Sequence, residues 1–341
     1  MFEKTSKFHP DKIADRIAGS LVDHCYTHAA GGWLKSNPRV AVETLIGHSE
    51  GLVLIETSEP LRVQDVTDTV RRISGIRHCT VRIVPQDPHL ARNQQGSPRV
   101  GDNGICRGMP VTPEQRELTA LIRTLDETFH SDAKAVLGGF NYRAYKDGKA
   151  ALRPSDGSTR SLLVTICQSN ATEEEVADCW NEFWKGQGAT PVKRDPNRPG
   201  TDLCWRLGER AFSVMINPLG PWTGGLDADS GATNRKLGSD MGDALTGGGL
   251  AGKDLSKADV SCQIVAHMLA QQYRTEVRAA YAIGDEQVTY HIGGHGEHQP
   301  DTLPDAPDLT LPFADIIERA RLFVHTQFGS FEKFAEYGLI A

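Results

Sequence analysis

The chain has 341 residues, with 37 Lys and Arg against 44 Asp and Glu and a formal charge of −7. That length suits two or three domains, or one large one, and needs no disulfide or metal staple for stability. The acidic balance argues against a general nucleic-acid coat, whose affinity comes from neutralising phosphates, but it leaves room for a small anion held by local cations.

The opening segment, MFEKTSKFHPDK, is polar and has no apolar leader core, and no window reaches the ~18 apolar residues of a spanning helix. Seven scattered cysteines without a CxxC pair read as reduced thiols. A cytoplasmic protein with neither a membrane nor a nucleic-acid partner is expected.

Residues 11–25 place Ile13, Ile17, Leu21 and Cys25 four apart, one face of a helix. Segments 40–47 and 51–57 are short, β-rich and separated by a turn, as in a hairpin. Helical spacing returns over 62–73 through Val63, Val66, Val70 and Ile73, and 80–84 reads as a strand. From 86 to 112 Gly, Pro, Asn and Asp dominate, which predicts a loop or linker. A helix over 113–130, a strand over 161–169, a helix over 172–186 and a strand over 212–218 follow. A second Gly-rich stretch covers 219–253. Then come a helix over 257–273, strands over 275–284 and 286–292, a Pro/Asp-rich link, and an amphipathic helix over 313–328. The mixture lacks βαβ regularity, so an α+β fold is expected rather than a doubly wound sheet. No repeat of fixed period is present.

Glycine is in surplus, 34 residues against a usual ~7%, and ten of them lie between Gly220 and Gly252. Gly247 to Lys253 matches the spacing G-x4-GK, but Asp254 follows where a P-loop has Ser or Thr, and no apolar strand precedes. A true P-loop is therefore rejected. Glycines with lysines still permit close backbone approach to phosphate; the alternative is a flexible loop with ordinary surface lysines. Arg235 and Lys236 are adjacent. Lys253 and Lys257 are four apart, with Asp259 two beyond, at a helix start. Such a set suits a polyphosphate, with cations for its oxygens and a carboxylate for Mg²⁺. A solvated charged helix start is the bland alternative.

His9, Pro10, Asp11 and Lys12 precede the first helix, and Pro10 suits its first turn. Four residues there offer metal, phosphate and proton-donor chemistry, although one His near a helix start is usually a surface residue. Glu43 and Glu56 lie in the two hairpin strands. If buried they need a partner or a cation; otherwise they face water.

HPDKIAD at 9–15, GDNG at 101–104, INP with Gly220 at 216–220, GATNRK at 231–236, GGG…GKDLSKAD at 247–259 and YAIG at 281–284 occur in one order. This ordered set resembles the S-adenosylmethionine synthetases, or methionine adenosyltransferases, from Glu3 to about Gly284. The resemblance implies three similar α/β subdomains around a pseudo-threefold axis, here 1–100, 101–218 and 219–341, with strands exchanged between them. It implies synthesis of S-adenosylmethionine from ATP and L-methionine, with tripolyphosphate displaced and then hydrolysed to pyrophosphate and phosphate. Mg²⁺ and K⁺ are the implied cofactors, and a homodimer or homotetramer with active sites between subunits is the implied assembly. By position, it implies catalytic roles for His9, Lys12, Arg235, Lys253 and Lys257. ATP contacts would come from Lys12, Asp102, Trp222, Arg235, Lys236, Lys253 and Lys257, with Trp222 stacking on adenine. Methionine contacts would come from Glu56, Gln86 and Asp229. Asp11 and Asp259 match Mg²⁺ ligands, and Glu43 a K⁺ ligand.

The chemistry suits these residue types. A thioether sulfur is a neutral nucleophile with no proton to remove, so attack on the ribose 5′ carbon needs no general base. The barrier lies in bringing two substrates together and in the charge growing on the departing triphosphate, which preplaced cations match. No hydrolase motif such as G-x-S-x-G occurs.

The chain departs from the family pattern at several places. Lys7-Phe8 replaces Glu-Gly before HPDK, Arg153-Pro154-Ser155-Asp156-Gly157 replaces R-P-D-A-K, Arg107 replaces an aromatic, and Thr246 replaces the histidine before the triple glycine. The resemblance is thus to a divergent, shortened member. The alternatives are a catalytically weak relative that binds ATP or S-adenosylmethionine as a regulatory or assembly subunit, and an enzyme acting on another thioether or selenoether. A phosphate-transferring ATPase rests on the imperfect Gly247–Lys253 match alone.

Overall fold

The computed structural model describes residues 2–93, 98–130, 147–155, 159–167, 181–182, 184–192, 203–208, 210–216, 224–293 and 308–341. Their strands form three sheets. One contains β2 (Val40–Gly47), β3 (Glu50–Thr57), β4 (His78–Pro85) and β11 (Ser230–Ala232), in the order β11-β2-β3-β4. Another contains β1 (Phe2–Thr5), β6 (Asp147–Ser155), β7 (Thr159–Cys167), β8 (Thr190–Pro191), β9 (Leu203–Leu207) and β10 (Arg210–Ile216), in the order β1-β6-β7-β10-β9-β8. The last contains β5 (Gly104–Gly108), β12 (Leu245–Thr246), β13 (Val277–Tyr281), β14 (Gln287–Ile292) and β15 (Leu309–Pro312), in the order β12-β5-β13-β14-β15. Each sheet takes one strand from a distant part of the chain: β11, β1 and β5 respectively.

The helices are α1 (Pro10–His28), α2 (Val63–Ser74), α3 (Pro88–Asn93), α4 (Pro113–His130), α5 (Leu237–Met241), α6 (Ala258–Tyr273), α7 (Phe313–Gln327) and α8 (Phe331–Tyr337). The fold is α+β, as the mixed pattern leads one to expect. In α1 the expected face, Ile13, Ile17, Leu21 and Cys25, is buried, and so are Ala14, Ala18, Val22 and Tyr26. A helix apolar on most sides belongs in the interior, and α1 packs against β2, β11 and α8. Val66 and Val70 anchor α2, whereas Val63 is exposed.

The hairpin forms as its alternation predicts, with Val40 opposite Thr57 and Glu43 opposite Leu54. Val40, Val42, Ile46, Val53 and Ile55 point inward. Leu45, Leu52 and Leu54, together with Glu43 and Glu56, point outward and are exposed.

The structure corrects the reading of 86–112 as a loop. This stretch contains α3 and β5, and β5 lies inside its sheet between β12 and β13. Its glycines mark close approach rather than a loop. A Cβ at Gly104 would sit 2.5 Å from the Tyr281 ring, and one at Gly108 would sit 2.1 Å from the Ala266 carbonyl oxygen. The second Gly-rich stretch likewise contains β11, α5 and β12. Strands β6, β8, β9 and β15 and helix α8 are short or Pro- and charge-broken, and their periodicity does not announce them. The helix expected over 172–186 falls, up to residue 180 and at Phe183, outside the described residues.

Among the described residues no helix is long and apolar enough to cross a membrane. Cys25, Cys79, Cys106 and Cys262 are free thiols. Burial pushes the Cys25 thiol up to about 11 and the Cys262 thiol up to about 12, so neither is a nucleophile near neutrality.

Candidate active site

The outer edge of β2 organises the site. Strand β11 pairs with its Leu45–Gly47 end. Residues 252–254 pair with its other end: Val42 N donates to Gly252 O at 2.7 Å, and Asp254 N donates to Val40 O at 3.0 Å. Between them Thr233 N donates to Thr44 O at 3.1 Å. One strand edge thus sets the positions of both cation-bearing segments, 233–236 and 252–257.

The first segment meets the start of α1. His9 is the N-cap, and its Nδ1 accepts the Asp11 backbone N–H at 3.1 Å. An Nδ1 acceptor leaves the proton on Nε2. Burial, then the Lys236 and Lys149 charges, lower the His9 pKa to about 3, so the imidazole is neutral at physiological pH. Asp11 Oδ1 accepts from Ala232 N at 2.9 Å, and Oδ2 accepts from Lys236 Nζ at 2.7 Å. Burial works against the Asp11 carboxylate, yet the Lys236 and Ala232 hydrogen bonds hold it below its ordinary range. Arg235 reaches Asp11 Oδ1 at 3.5 Å and remains largely exposed. Gly231 lets this segment press on α1, since a Cβ there would lie 2.0 Å from the Pro10 carbonyl oxygen. Beside Arg235 and Lys236 opens a cavity of about 370 Å³, also lined by Phe2, Gln115 and Asp243.

Behind this rim lies a buried charge cluster. Lys12 Nζ donates to both oxygens of Asp240, at 2.6 and 2.7 Å, and to Asp15 Oδ2 at 3.2 Å. Burial would lower the Lys12 pKa, but Asp240 and Asp15 together raise it. Burial, eased by Lys12, lifts Asp15 to about 6. Lys4, fully buried, donates to the carbonyls of Ser239, Tyr337 and Ile340. Asp15 and Asp240 are site residues that sequence reasoning misses. The i, i+3 spacing of Lys12 and Asp15 is a usable signal for one of them; nothing local marks Asp240.

The Gly-rich segment supplies the other cations. Lys253 Nζ donates to Gly248 O at 2.5 Å and lies 3.4 Å from Asp259 Oδ2. Tyr281 Oη donates to Asp259 Oδ1 at 3.4 Å. Gly248 makes the pair possible, because a Cβ there would sit 2.1 Å from Asp259 Oδ2 and 2.7 Å from Lys253 Nζ. Lys257 caps α6, and its ammonium has no ion pair among the described residues. Unlike a P-loop lysine, Lys253 precedes its helix by five residues, since α6 begins at Ala258.

The remaining expected residues stand apart. Glu43 and Glu56 share the outer face of the hairpin, and Glu43 accepts the Thr233 hydroxyl proton. Gln86 follows β4, donates its backbone N–H to Thr57 O at 3.0 Å, and buries a side-chain oxygen without a partner. Asp229 caps the turn into β11 through Ser230 N at 2.7 Å. Asp102 is exposed before β5, next to Asn103, whose side-chain oxygen holds Ile283 N at 2.8 Å. Trp222 lies outside the described residues. Among the described residues no hydrogen bond or ion pair joins Glu56, Gln86 or Asp102 to the His9–Asp11–Lys236 group.

No family model matches the chain. It is 27% identical over 343 residues to S-adenosylmethionine synthase 1 of Rhodospirillum rubrum, covering 92% of this chain and 85% of that protein. It is 28% identical over 364 residues to S-adenosylmethionine synthase of Salinibacter ruber, covering 91% and 89%. Among solved structures, an unusual S-adenosylmethionine synthetase from Campylobacter jejuni superposes with a TM-score of 0.64 at 17% identity, covering 99% of this chain and 93% of that one. Over most of its length the chain is thus similar in sequence to S-adenosylmethionine synthases, as a divergent member would be, and it has the fold of a solved S-adenosylmethionine synthetase.

Proposed function

We propose that this protein joins ATP and L-methionine into S-adenosylmethionine by sulfur attack on the ribose 5′ carbon, displacing tripolyphosphate and then hydrolysing it to pyrophosphate and phosphate. One observation carries this reading: the pairs Lys236–Asp11 and Lys253–Asp259 stand along one strand edge, each with a partly exposed ammonium. Arg235 and Lys257 flank them. A linear polyphosphate would take over these cations, and charge that grows on it during displacement would meet fixed positive partners. Neutral His9 would donate its Nε2–H to the leaving oxygen, a polar contact rather than a proton transfer. Binding both substrates in line supplies the other share of catalysis, up to about 7–11 kcal/mol in ideal systems.

The residues fit Mg²⁺ that arrives with the phosphates. Asp11 and Asp259 are single carboxylates already compensated by ammonium groups, and Mg²⁺ usually takes one or two carboxylates plus phosphate oxygens. Among the described residues no group of three or more His, Cys, Asp or Glu would cage a metal alone. When bound, Mg²⁺ neutralises charge on the leaving triphosphate. Glu43 and the Thr233 hydroxyl are oxygen donors suited to K⁺.

The exposed sheet face supports a dimer. Leu45, Leu52 and Leu54 form an apolar patch there, 50%, 46% and 45% exposed, flanked by Glu43 and Glu56. A second copy on this face would bring Glu56, Gln86 and Asp102 to a shared site for methionine and nucleotide, which accounts for their separation within one chain. The exchange of β1, β5 and β11 between sheets supports a division into 1–100, 101–218 and 219–341.

Incubation with ATP, L-methionine, Mg²⁺ and K⁺, followed by mass spectrometry and phosphate analysis, tests the reading. S-adenosylmethionine with triphosphate, or with pyrophosphate and phosphate, is the expected result. ADP would indicate an ATPase. The second reading, a binding-only relative, is favoured by Thr246, whose hydroxyl is used up on Asp259 O at 2.7 Å; nucleotide binding without turnover would establish it.

A further inference from the structure

We propose that Asn234 is a positioning residue that fixes the spacing between the two cation groups and so tunes the site to a linear polyphosphate; this rests on the phosphate reading above. Asn234 sits in the left-handed region, at φ 62°, which costs a non-glycine residue energy unless its side chain compensates. The compensation is specific. Its Oδ1 accepts from Leu250 N at 2.9 Å and from Ala251 N at 2.8 Å, and its Nδ2 donates to Ala251 O at 3.1 Å. On its other side, Asn234 N donates to Asp15 Oδ1 at 2.7 Å.

The result is a continuous link. Asp15, held by buried Lys12, grips the Asn234 backbone, and the Asn234 side chain grips the Gly-rich segment two residues before Lys253. Gly249 completes the fit, because a Cβ there would lie 2.4 Å from Asn234 Cγ. Arg235 and Lys236 follow Asn234 directly in sequence. Beside the edge of β2, this amide is a direct side-chain link between the two cation-bearing segments. An orthophosphate would touch one cation group only, whereas a tripolyphosphate must bridge both. The clamp therefore matters for the longer anion.

The test uses the full chain with Asn234→Gly, which keeps the backbone geometry and deletes the amide, and Asn234→Asp, which keeps an acceptor for both backbone N–H groups. Hydrogen exchange at Leu250 and Ala251 and calorimetry with Mg²⁺ plus tripolyphosphate or orthophosphate are measured. In Asn234→Gly these amides exchange about tenfold faster and tripolyphosphate binds about tenfold more weakly, in line with the loss of roughly one net hydrogen bond, while orthophosphate affinity holds. Asn234→Asp falls between and carries the test if the glycine variant does not fold. Unchanged exchange overturns the clamp. Faster exchange with unchanged tripolyphosphate affinity, or equal loss for both anions, overturns the positioning role. A wild-type chain that binds no tripolyphosphate overturns the phosphate reading instead, and the exchange result separates that failure from failure of the clamp.

Discussion

Lys12 and Lys253 both face carboxylates, but in opposite settings. Lys12 is 1% exposed and meets three carboxylate oxygens of Asp240 and Asp15. Lys253 keeps 18% of its side chain open and faces one carboxylate oxygen at 3.4 Å, as Lys236, also 18% open, faces Asp11. A buried ammonium held by three carboxylate oxygens cannot change partner cheaply, whereas a partly open rim ammonium facing one carboxylate can turn toward a phosphate. The same residue type thus sits in a buried ion cluster in one place and, on the proposed function, meets the ligand in the other.

The largest expected effects come from cutting each lysine. Lys12→Ala leaves Asp240 and Asp15 buried without their cation and should cost roughly 3–5 kcal/mol of stability, read from chemical denaturation. If stability instead holds and only tripolyphosphate binding is lost, Lys12 is a phosphate ligand after all and the contrast fails. Lys253→Ala and Asp259→Ala should lower turnover by about 10²–10³-fold, the usual cost of one lost transition-state partner, with denaturation midpoints near wild type. Near-normal turnover in either variant removes it from the site.

A smaller effect sharpens the same contrast at the sheet face. Leu45→Asp with Leu54→Asp should shift the chain toward monomer in sedimentation and reduce turnover, while leaving inward-facing core residues untouched. A separate effect concerns pH and is confined to the acid range. His9 has its pKa lowered from 6.5 to about 3 by burial and by neighbouring lysines. Its neutral form therefore contributes stability that is complete above pH 6.5 and is lost as pH falls from 6.5 toward 3. Asn is also a competent N-cap and does not titrate. The stability of wild type relative to His9→Asn should be constant above pH 6.5 and decline below it; a flat difference across pH 4–8 would show that His9 is not buried as a neutral donor.

The sequence announces the elements with clean periodicity, α1, the hairpin and α6, and it marks His9, Asp11, Lys236, Lys253 and Asp259 by motif. It hides β5, because strand glycines that admit Tyr281 and the Ala266 backbone look like loop glycines. It also hides the partners of Lys12 and Asn234. Asp240 lies 228 residues from Lys12, and Asp15 lies 219 from Asn234. Polar pairing over such separations is a product of the fold, and a single chain carries no local pattern for it. Lys12 shows what a motif leaves out: position implies a phosphate contact, and the fold adds Asp240 and Asp15 as its carboxylate partners.

On the proposed function the rim cations receive a triphosphate leaving from the ribose 5′ carbon. This is tested most directly with ATP carrying oxygen-18 in the bridge between that carbon and the α-phosphorus, incubated with L-methionine, Mg²⁺ and K⁺. Carbon–oxygen cleavage sends the label out with tripolyphosphate or its pyrophosphate and phosphate products, alongside unlabelled S-adenosylmethionine. Label retained on an adenosine-containing product such as ADP or AMP would mean phosphorus–oxygen cleavage and would contradict the account.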